Sequence, residues 1–157
     1  GAIYSLTTGR ALLDLLNKTV SVYPRTSAAS VPHVGSLVVG QVSDVQSKTA
    51  TIRIFQIGKR LLSGFFSGVL HVSDVSPRYV ESMHEVCKSG DILRGKVVSD
   101  KNRTFHLSTN ERNLGVLHAF CSNCGHQLSQ RRFQMRCPEC GRVEKRKAAQ
   151  DYGKEEL

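Results

Sequence analysis

The chain has 157 residues, with 22 Lys and Arg against 13 Asp and Glu for a formal charge of +9, a length that suits one ordinary domain or two to three very small ones. No run approaches the ~18 consecutive apolar residues of a membrane-spanning helix, no signal-peptide pattern opens the chain, and 39% hydrophobic residues argue against wholesale disorder. Trp is absent and aromatics are 6%, so the expected core is aliphatic.

The N-terminal stretch reads as three short strands, Ala2 to Leu6, Gly9 to Leu13 and Thr19 to Tyr23, with turns at Thr8-Gly9 and Asn17-Lys18. Roughly thirty residues cannot bury a good core alone, so this piece is expected to dock on something else. The chain opens on Gly1 and not Met, and residues upstream are expected. Pro24 to Pro32 (PRTSAASVP) is a linker by composition.

From Ser36 onward strands dominate. Leu37 to Val45 alternates in part, Ser47-Lys48 reads as a turn, and Thr49 to Gln56 alternates cleanly with Ala50, Ile52 and Ile54 on one face. Gly58 to Ser63 reads as a loop carrying Lys59 and Arg60, Gly68 to Val72 as a short strand, and Ser73 as the cap of a short helical turn. Tyr79 to Cys87 spaces Val80, Met83 and Val86 at helical intervals. Asp91 to Asp100 and Arg103 to Thr109 give two more strands around Lys101-Asn102. Five strands with a helix between the third and fourth is the order of an OB-fold barrel. The expected architecture is all-β: an N-terminal β segment and linker (1–32), an OB-fold domain (33–117), and a metal-pinned C-terminal piece (118–157).

That last piece rests on cysteine spacing. Cys87 stands alone and reads as a small buried apolar residue. The other four read Cys121-Ser-Asn-Cys124-Gly125 and Cys137-Pro-Glu-Cys140-Gly141, with twelve residues between Cys124 and Cys137. Two C-x-x-C turns bring four thiolates onto one tetrahedral ion, and a glycine after each pair allows the φ > 0 residue that completes the turn. A thioredoxin-type site uses one C-x-x-C after a strand of a βαβ unit, a pattern absent from this sequence. Disulfides are disfavoured without a secretion signal, intracellular hyperthermophile proteins being the exception. The reading is a structural zinc ribbon holding one zinc, with Gln127 to Ser129 and Phe133 to Arg136 as strands and Gln130 to Arg132 at their turn. His118 and His126 read as surface residues, since four thiolates already close the coordination shell.

Charge is spread along the chain, with +2 in 1–32, +4 in 33–117 and +3 in 118–157. A positive surface favours phosphate backbones or acidic surfaces. Asp74, Glu81 and Glu85 are scattered, and no triad, paired acids or phosphate loop stands out, so no enzyme is expected.

Gly68-Val-Leu-His-Val-Ser73, Gly90-Asp-Ile-Leu-Arg-Gly-Lys-Val-Val98 and Phe105-His-Leu-Ser108 resemble the RNA-binding OB domain first described in ribosomal protein S-one, over nearly all of Gly35 to Glu111. The resemblance implies that His71, Asp100 and the residues around Arg103 lie on or beside a nucleic-acid face, and that Gly40 and Gly68 mark close backbone packing. His71 stays open between that role and simply closing the barrel. The family's stacking aromatics fall here on Lys48 and Thr51, and its later basic residue on Thr104, beside Arg103. Phe55, Phe65, Phe66 and Phe105 read as packing residues. The expected RNA contact is electrostatic, through Lys48, Lys59, Arg60, His71, Lys101 and Arg103.

The order of segments, with CPECGRVEKRK and DYGKEEL at the end, resembles over essentially the full chain the archaeal exosome cap subunits of the Csl-four type. That resemblance implies a cytoplasmic, non-catalytic subunit that guides RNA 3′ ends into a ring of RNase-PH-like subunits. The N-terminal segment would grip the ring, and the ribbon would be open to a further cap or accessory subunit. The alternative from a different class is a subunit of a transcription or translation complex, since OB barrels and zinc ribbons also pair there.

Overall fold

The computed structural model describes residues 1–6, 8–25, 30–132 and 134–154, which divide into two compact units, Gly1–Val31 and Pro32–Leu157.

The first unit is a hairpin of β1 (Gly9–Asp14) and β2 (Thr19–Pro24), paired antiparallel from Gly9↔Pro24 to Asp14↔Thr19. The Asp14 carboxylate closes the turn by accepting from Leu16 N (3.0 Å), Asn17 N (3.2 Å) and Asn17 Nδ2 (2.8 Å). The expected strand at 2–6 is not formed. Within the described residues the hairpin pairs only with itself. Leu12, Leu13, Leu15, Leu16, Val20 and Tyr23 are all exposed. Of the expected linker, residues 26–29 lie outside the described residues.

The second unit is built on a closed barrel of β3 (Leu37–Val45), β4 (Thr49–Ile57), β5 (Arg60–His71), β6 (Ile92–Ser99) and β7 (Phe105–Ser108). Strand order runs β3-β4-β5-β7-β6, and β6 returns to pair β3. Only β5 and β7 are parallel, with Gly68 opposite Phe105. Counted within the barrel this is the 1-2-3-5-4-1 circuit of an OB fold. Val38, Val42, Ala50, Ile52, Ile54, Leu70, Leu93, Val97 and Leu107 fill the interior, so the clean alternation in β4 is the one the structure uses. Gly40 sits where a Cβ would lie 2.6 Å from the Arg53 carbonyl oxygen, a backbone approach that only glycine permits.

Several local expectations differ from the structure. The loop expected at 58–63 is a tight turn at Gly58-Lys59, and β5 begins at Arg60. Thr49–Ile57 and Arg60–His71 therefore form one long hairpin. The helix expected at 79–87 is a single 3₁₀ turn, Met83–Glu85. Val80, Met83 and Val86 recur every three residues, which is the 3₁₀ repeat and not the α repeat. Met83, Val86 and Cys87 plug the barrel floor. His71, not Ser73, caps the turn at Val72–Asp74, its Nδ1 accepting from Ser73 N (3.2 Å).

Beyond the barrel, β8 (Gly115–His118) pairs with β6 alongside β7. No expectation placed a strand there. The C-terminal sheet has β9 (Ser129–Arg131), β10 (Gln134–Arg136) and β11 (Val143–Glu144) in the order β11-β10-β9. The first strand thus starts two residues later than expected at 127–129, and Arg132, in left-handed backbone (φ 55°), makes the turn. Phe133, the expected start of the next strand, lies outside the described residues.

Barrel and ribbon share one core. Cys121, Leu128, Met135 and Cys137 belong to the same buried cluster as the barrel interior. Tyr152 returns from the tail, where its hydroxyl donates to Leu128 O (2.6 Å) and accepts from Ala119 N (3.1 Å). Between the two parts lies a buried ion cluster. Arg146 Nε meets Asp91 Oδ2 at 2.6 Å, Arg146 Nη2 meets Glu144 Oε2 at 2.9 Å, and Lys88 Nζ reaches the same Glu144 oxygen at 2.9 Å. Burial raises the Glu144 pKa. Its bonds from Ser122, Lys88 and Arg146 outweigh that and hold it well below the usual carboxylate range.

Candidate metal centre and nucleic-acid face

Each cysteine pair sits on a turn beside a short strand. Cys121 and Cys124 lie between β8 and β9, and Cys137 and Cys140 between β10 and β11. The Gly125 N–H closes the first turn on Cys121 O (2.9 Å), and the Gly141 N–H closes the second on Cys137 O (3.1 Å). Both glycines are left-handed, at φ 75° and 71°. That is the conformation their positions after C-x-x-C demand.

The four sulfurs lie within 4.8 Å of one another. Cys121–Cys140, Cys124–Cys137 and Cys124–Cys140 Sγ separations are 3.6, 3.3 and 3.7 Å. A tetrahedral ion with metal–sulfur bonds of about 2.3 Å requires sulfur–sulfur edges of about 3.8 Å. These three edges lie within about half an ångström of that value, and all four sulfurs are close enough to share one such ion. Backbone N–H groups already point at the sulfurs. The Cys140 N–H holds the Cys137 thiol below its ordinary range, helped by Glu139. The His126 N–H pulls Cys124 down, but the crowded thiols, Cys137 foremost, push it up to about 12. A divalent cation relieves that crowding, because it favours the thiolate on every ligand.

The second support is electrostatic. Glu144 accepts from Ser122 N (3.0 Å) and Ser122 Oγ (2.6 Å), inside the first cysteine turn. The ion cluster at the barrel joint thus fixes the turn that carries two sulfurs. His118 and His126 stand outside the four-sulfur group, with the His118 ring bonded to Gln127 Nε2 at 2.8 Å. Cys87 is fully buried in the barrel floor, and burial pushes its thiol up to about 12.

The six residues expected to meet RNA do not form one patch. Lys48, exposed in the β3–β4 turn, and His71 lie at one end of the β4–β5 hairpin, where the Val72 N–H donates to Lys48 O at 2.8 Å. Lys59 and Arg60 sit at the opposite tip, about 26 Å away by strand rise. Lys101 and Arg103 are exposed in the β6–β7 connection. The His71 ring is half-buried, and its Nδ1 is engaged with Ser73 Oγ at 2.7 Å.

Two residues on the outer face of the hairpin were not among those expectations. Arg53 on β4 is exposed, and its guanidinium carbon stands 5.2 Å from the ring centre of Phe65, which is 62% exposed. Their neighbour Phe66 turns inward and packs edge-on against Phe105 at 5.6 Å. The signal was present in the sequence. Alternation puts Arg53 opposite Ala50, Ile52 and Ile54, and any strand through Phe65-Phe66 must expose one of the two rings. Reading that stretch as outside a strand hid it.

No family model matches the chain. It is 37% identical over 99% of its length to the exosome complex component Csl4 of Archaeoglobus fulgidus, covering 85% of that protein. It is 30% identical to the exosome complex component csl4 of Schizosaccharomyces pombe, over 93% of this chain and 83% of the relative. With the human exosome complex component CSL4 it shares 32% identity, over 83% of this chain and 69% of the relative. Among solved structures, the intact α subunit of aIF2 from Pyrococcus abyssi matches 52% of this chain and 30% of its own at 20% identity and a TM-score of 0.43. A likeness that slight carries no argument. With 37% identity over 99% of its length to one exosome component, and 30–32% to two others, the chain belongs to the Csl4 family of exosome complex components.

Proposed function

We propose that this chain is a non-catalytic cap subunit of an exosome, holding single-stranded RNA and steering its 3′ end toward an RNase-PH-like ring. The observation that carries the reading is the 37% identity to an exosome component over 99% of the chain. The division of labour follows the three expected segments. Residues 1–32 dock on the ring, 33–117 hold RNA, and 118–157 form a zinc ribbon that stiffens the barrel and is open to an accessory subunit. The exposed leucines of the N-terminal hairpin support the docking role, since a two-stranded sheet with an uncovered apolar face needs a partner. Four cysteine sulfurs within 4.8 Å of one another support zinc, and a four-thiolate shell leaves no position for substrate, so the metal is structural.

The chain's own residues act by binding. Basic side chains at both ends of the β4–β5 hairpin and in the β6–β7 connection concentrate RNA near the ring. Several weak sites held in one assembly gain about 10²–10⁴ in effective affinity when their geometry allows simultaneous contact. A cytoplasmic setting is consistent with thiols kept reduced for metal binding.

Size-exclusion chromatography with light scattering, on the chain mixed with an RNase-PH-like ring, tests the docking assignment. The full chain should co-elute with the ring, and residues 32–157, a compact unit by themselves, should not. Co-elution of the shortened chain would reject the assignment.

A further inference from the structure

We propose that Arg53 and Phe65 form a base-stacking platform on the outer face of the β4–β5 hairpin, taking one unpaired base of a single-stranded RNA. The proposal rests on the RNA-holding reading and adds to it a site, a contact type and a direction along the barrel.

Three observations meet there. First, β5 is not regular at this point. Pairing passes from Ile54↔Phe66 directly to Gln56↔Leu61, so that Leu62, Ser63, Gly64 and Phe65 stand opposite Phe55 alone. Extra residues of this kind bend a strand and re-aim a side chain. Here the ring left outside the barrel is Phe65, while Phe66 is partly buried and packs against the core. Second, a cation stands over the exposed ring. The Arg53 guanidinium lies 5.2 Å from its centre, within the range of an attractive contact. Among the described residues Arg53 forms no ion pair, and its cross-strand neighbours are the exposed, neutral Gln41 and Ser67. Its charge is therefore not spent on a carboxylate. Third, further cations lie toward the same side. Since β7 runs parallel to β5 from Phe105↔Gly68, the connection holding Lys101 and Arg103 lies on the side of β5 toward Phe65. Asn102 and Arg103 are both left-handed, at φ 60° and 58°, which turns that connection sharply between the strands.

A flat ring, a guanidinium stacked beside it and two more exposed cations match a polymer that alternates flat π faces with anionic links. Single-stranded nucleic acid has both, and its bases stack on aromatic rings and on guanidinium planes. An acidic peptide supplies the anions without the π faces, and a duplex hides its bases. The predicted path runs from the β6–β7 connection across Phe65 toward the hairpin tip at Lys59 and Arg60.

The test uses the full, metal-loaded chain and a labelled oligoadenylate, read by anisotropy at low salt. The chain contains no Trp, so Phe65→Trp places a single reporter in the platform. Its emission should be quenched by oligoadenylate with the midpoint that anisotropy gives. Phe65→Ala and Arg53→Gln should each weaken binding about 5- to 100-fold, with thermal midpoint and metal content unchanged because both side chains are exposed. An oligomer of the same length with abasic sites should lose a similar factor on the wild-type chain and almost none on Phe65→Ala. If the wild-type chain binds RNA but Phe65→Trp shows no quenching and Phe65→Ala binds equally well, the platform is wrong and the RNA-holding reading stands. If the wild-type chain binds no RNA even at low salt, both fall.

Discussion

Arg146 is the side chain on which the barrel–ribbon joint most depends, and replacing it with Ala measures that dependence. Its side chain is fully buried. Besides Asp91 and Glu144, its Nη1 donates to Lys145 O (2.8 Å) and its Nη2 to Phe120 O (3.3 Å). Among the described residues, removing it leaves the Asp91 carboxylate with only two backbone donors, Lys88 N (2.8 Å) and Phe120 N (3.1 Å), and no cation. Glu144 keeps Lys88 and Ser122. Breaking a buried pair from one side costs about 3–5 kcal/mol, because the remaining charge is stranded. With a urea m-value of about 2 kcal/mol/M for a unit this size, the unfolding midpoint should fall by about 1.5–2.5 M. The assay is urea denaturation with zinc in excess, so that metal loss does not mask the effect. Arg146→Met combined with Asp91→Asn should cost less than the two single changes added together, since neither charge is then left alone. A midpoint change below about 0.5 M for Arg146→Ala would refute the reasoning.

Other outcomes follow from the same structure. Metal analysis should find about one zinc per chain, and Cys124→Ser or Cys140→Ser should abolish it; oxidised, protected disulfides in place of zinc would remove the ribbon assignment. Lys147 Nζ donates to Leu114 O (2.7 Å), Glu111 O (3.2 Å) and Thr109 O. Lys147→Met should therefore destabilise by about 1–3 kcal/mol in denaturant melts by stranding those carbonyls, and an unchanged midpoint would contradict it. RNA affinity should fall linearly with salt on logarithmic axes, and Lys101→Ala and Arg103→Ala should each flatten the slope by about 0.7. A slope that neither change moves would take both residues out of the phosphate path.

What the sequence discloses is local. The alternation of Ala50, Ile52 and Ile54 gives β4 directly, because one face of that strand is buried throughout. The cysteine turns are legible for the same reason, since ligand identity, spacing and the following glycine are all contiguous. Features set by tertiary context were harder to read. A four-residue stretch such as Gly115–His118 becomes a strand because β6 has an open edge beyond β7. The spacing of Val80, Met83 and Val86 invites a helix of two or more turns, yet a strict repeat of three belongs to 3₁₀ geometry, which runs for one turn here. The irregularity that turns Phe65 outward depends on pairing with β4, not on its own neighbours. Asp91 and Arg146 are separated by 55 residues, and nothing in either local sequence announces the other.

The most direct test of the account is phosphorolysis of a 5′-labelled single-stranded RNA by an RNase-PH-like ring, with and without this chain. The chain should lower the RNA concentration needed for half-maximal rate, leave the rate at saturating RNA nearly unchanged, and yield no products when incubated with RNA alone. Degradation by the isolated chain, or a ring whose RNA requirement is the same with and without it, would contradict a subunit that captures RNA for another subunit's chemistry.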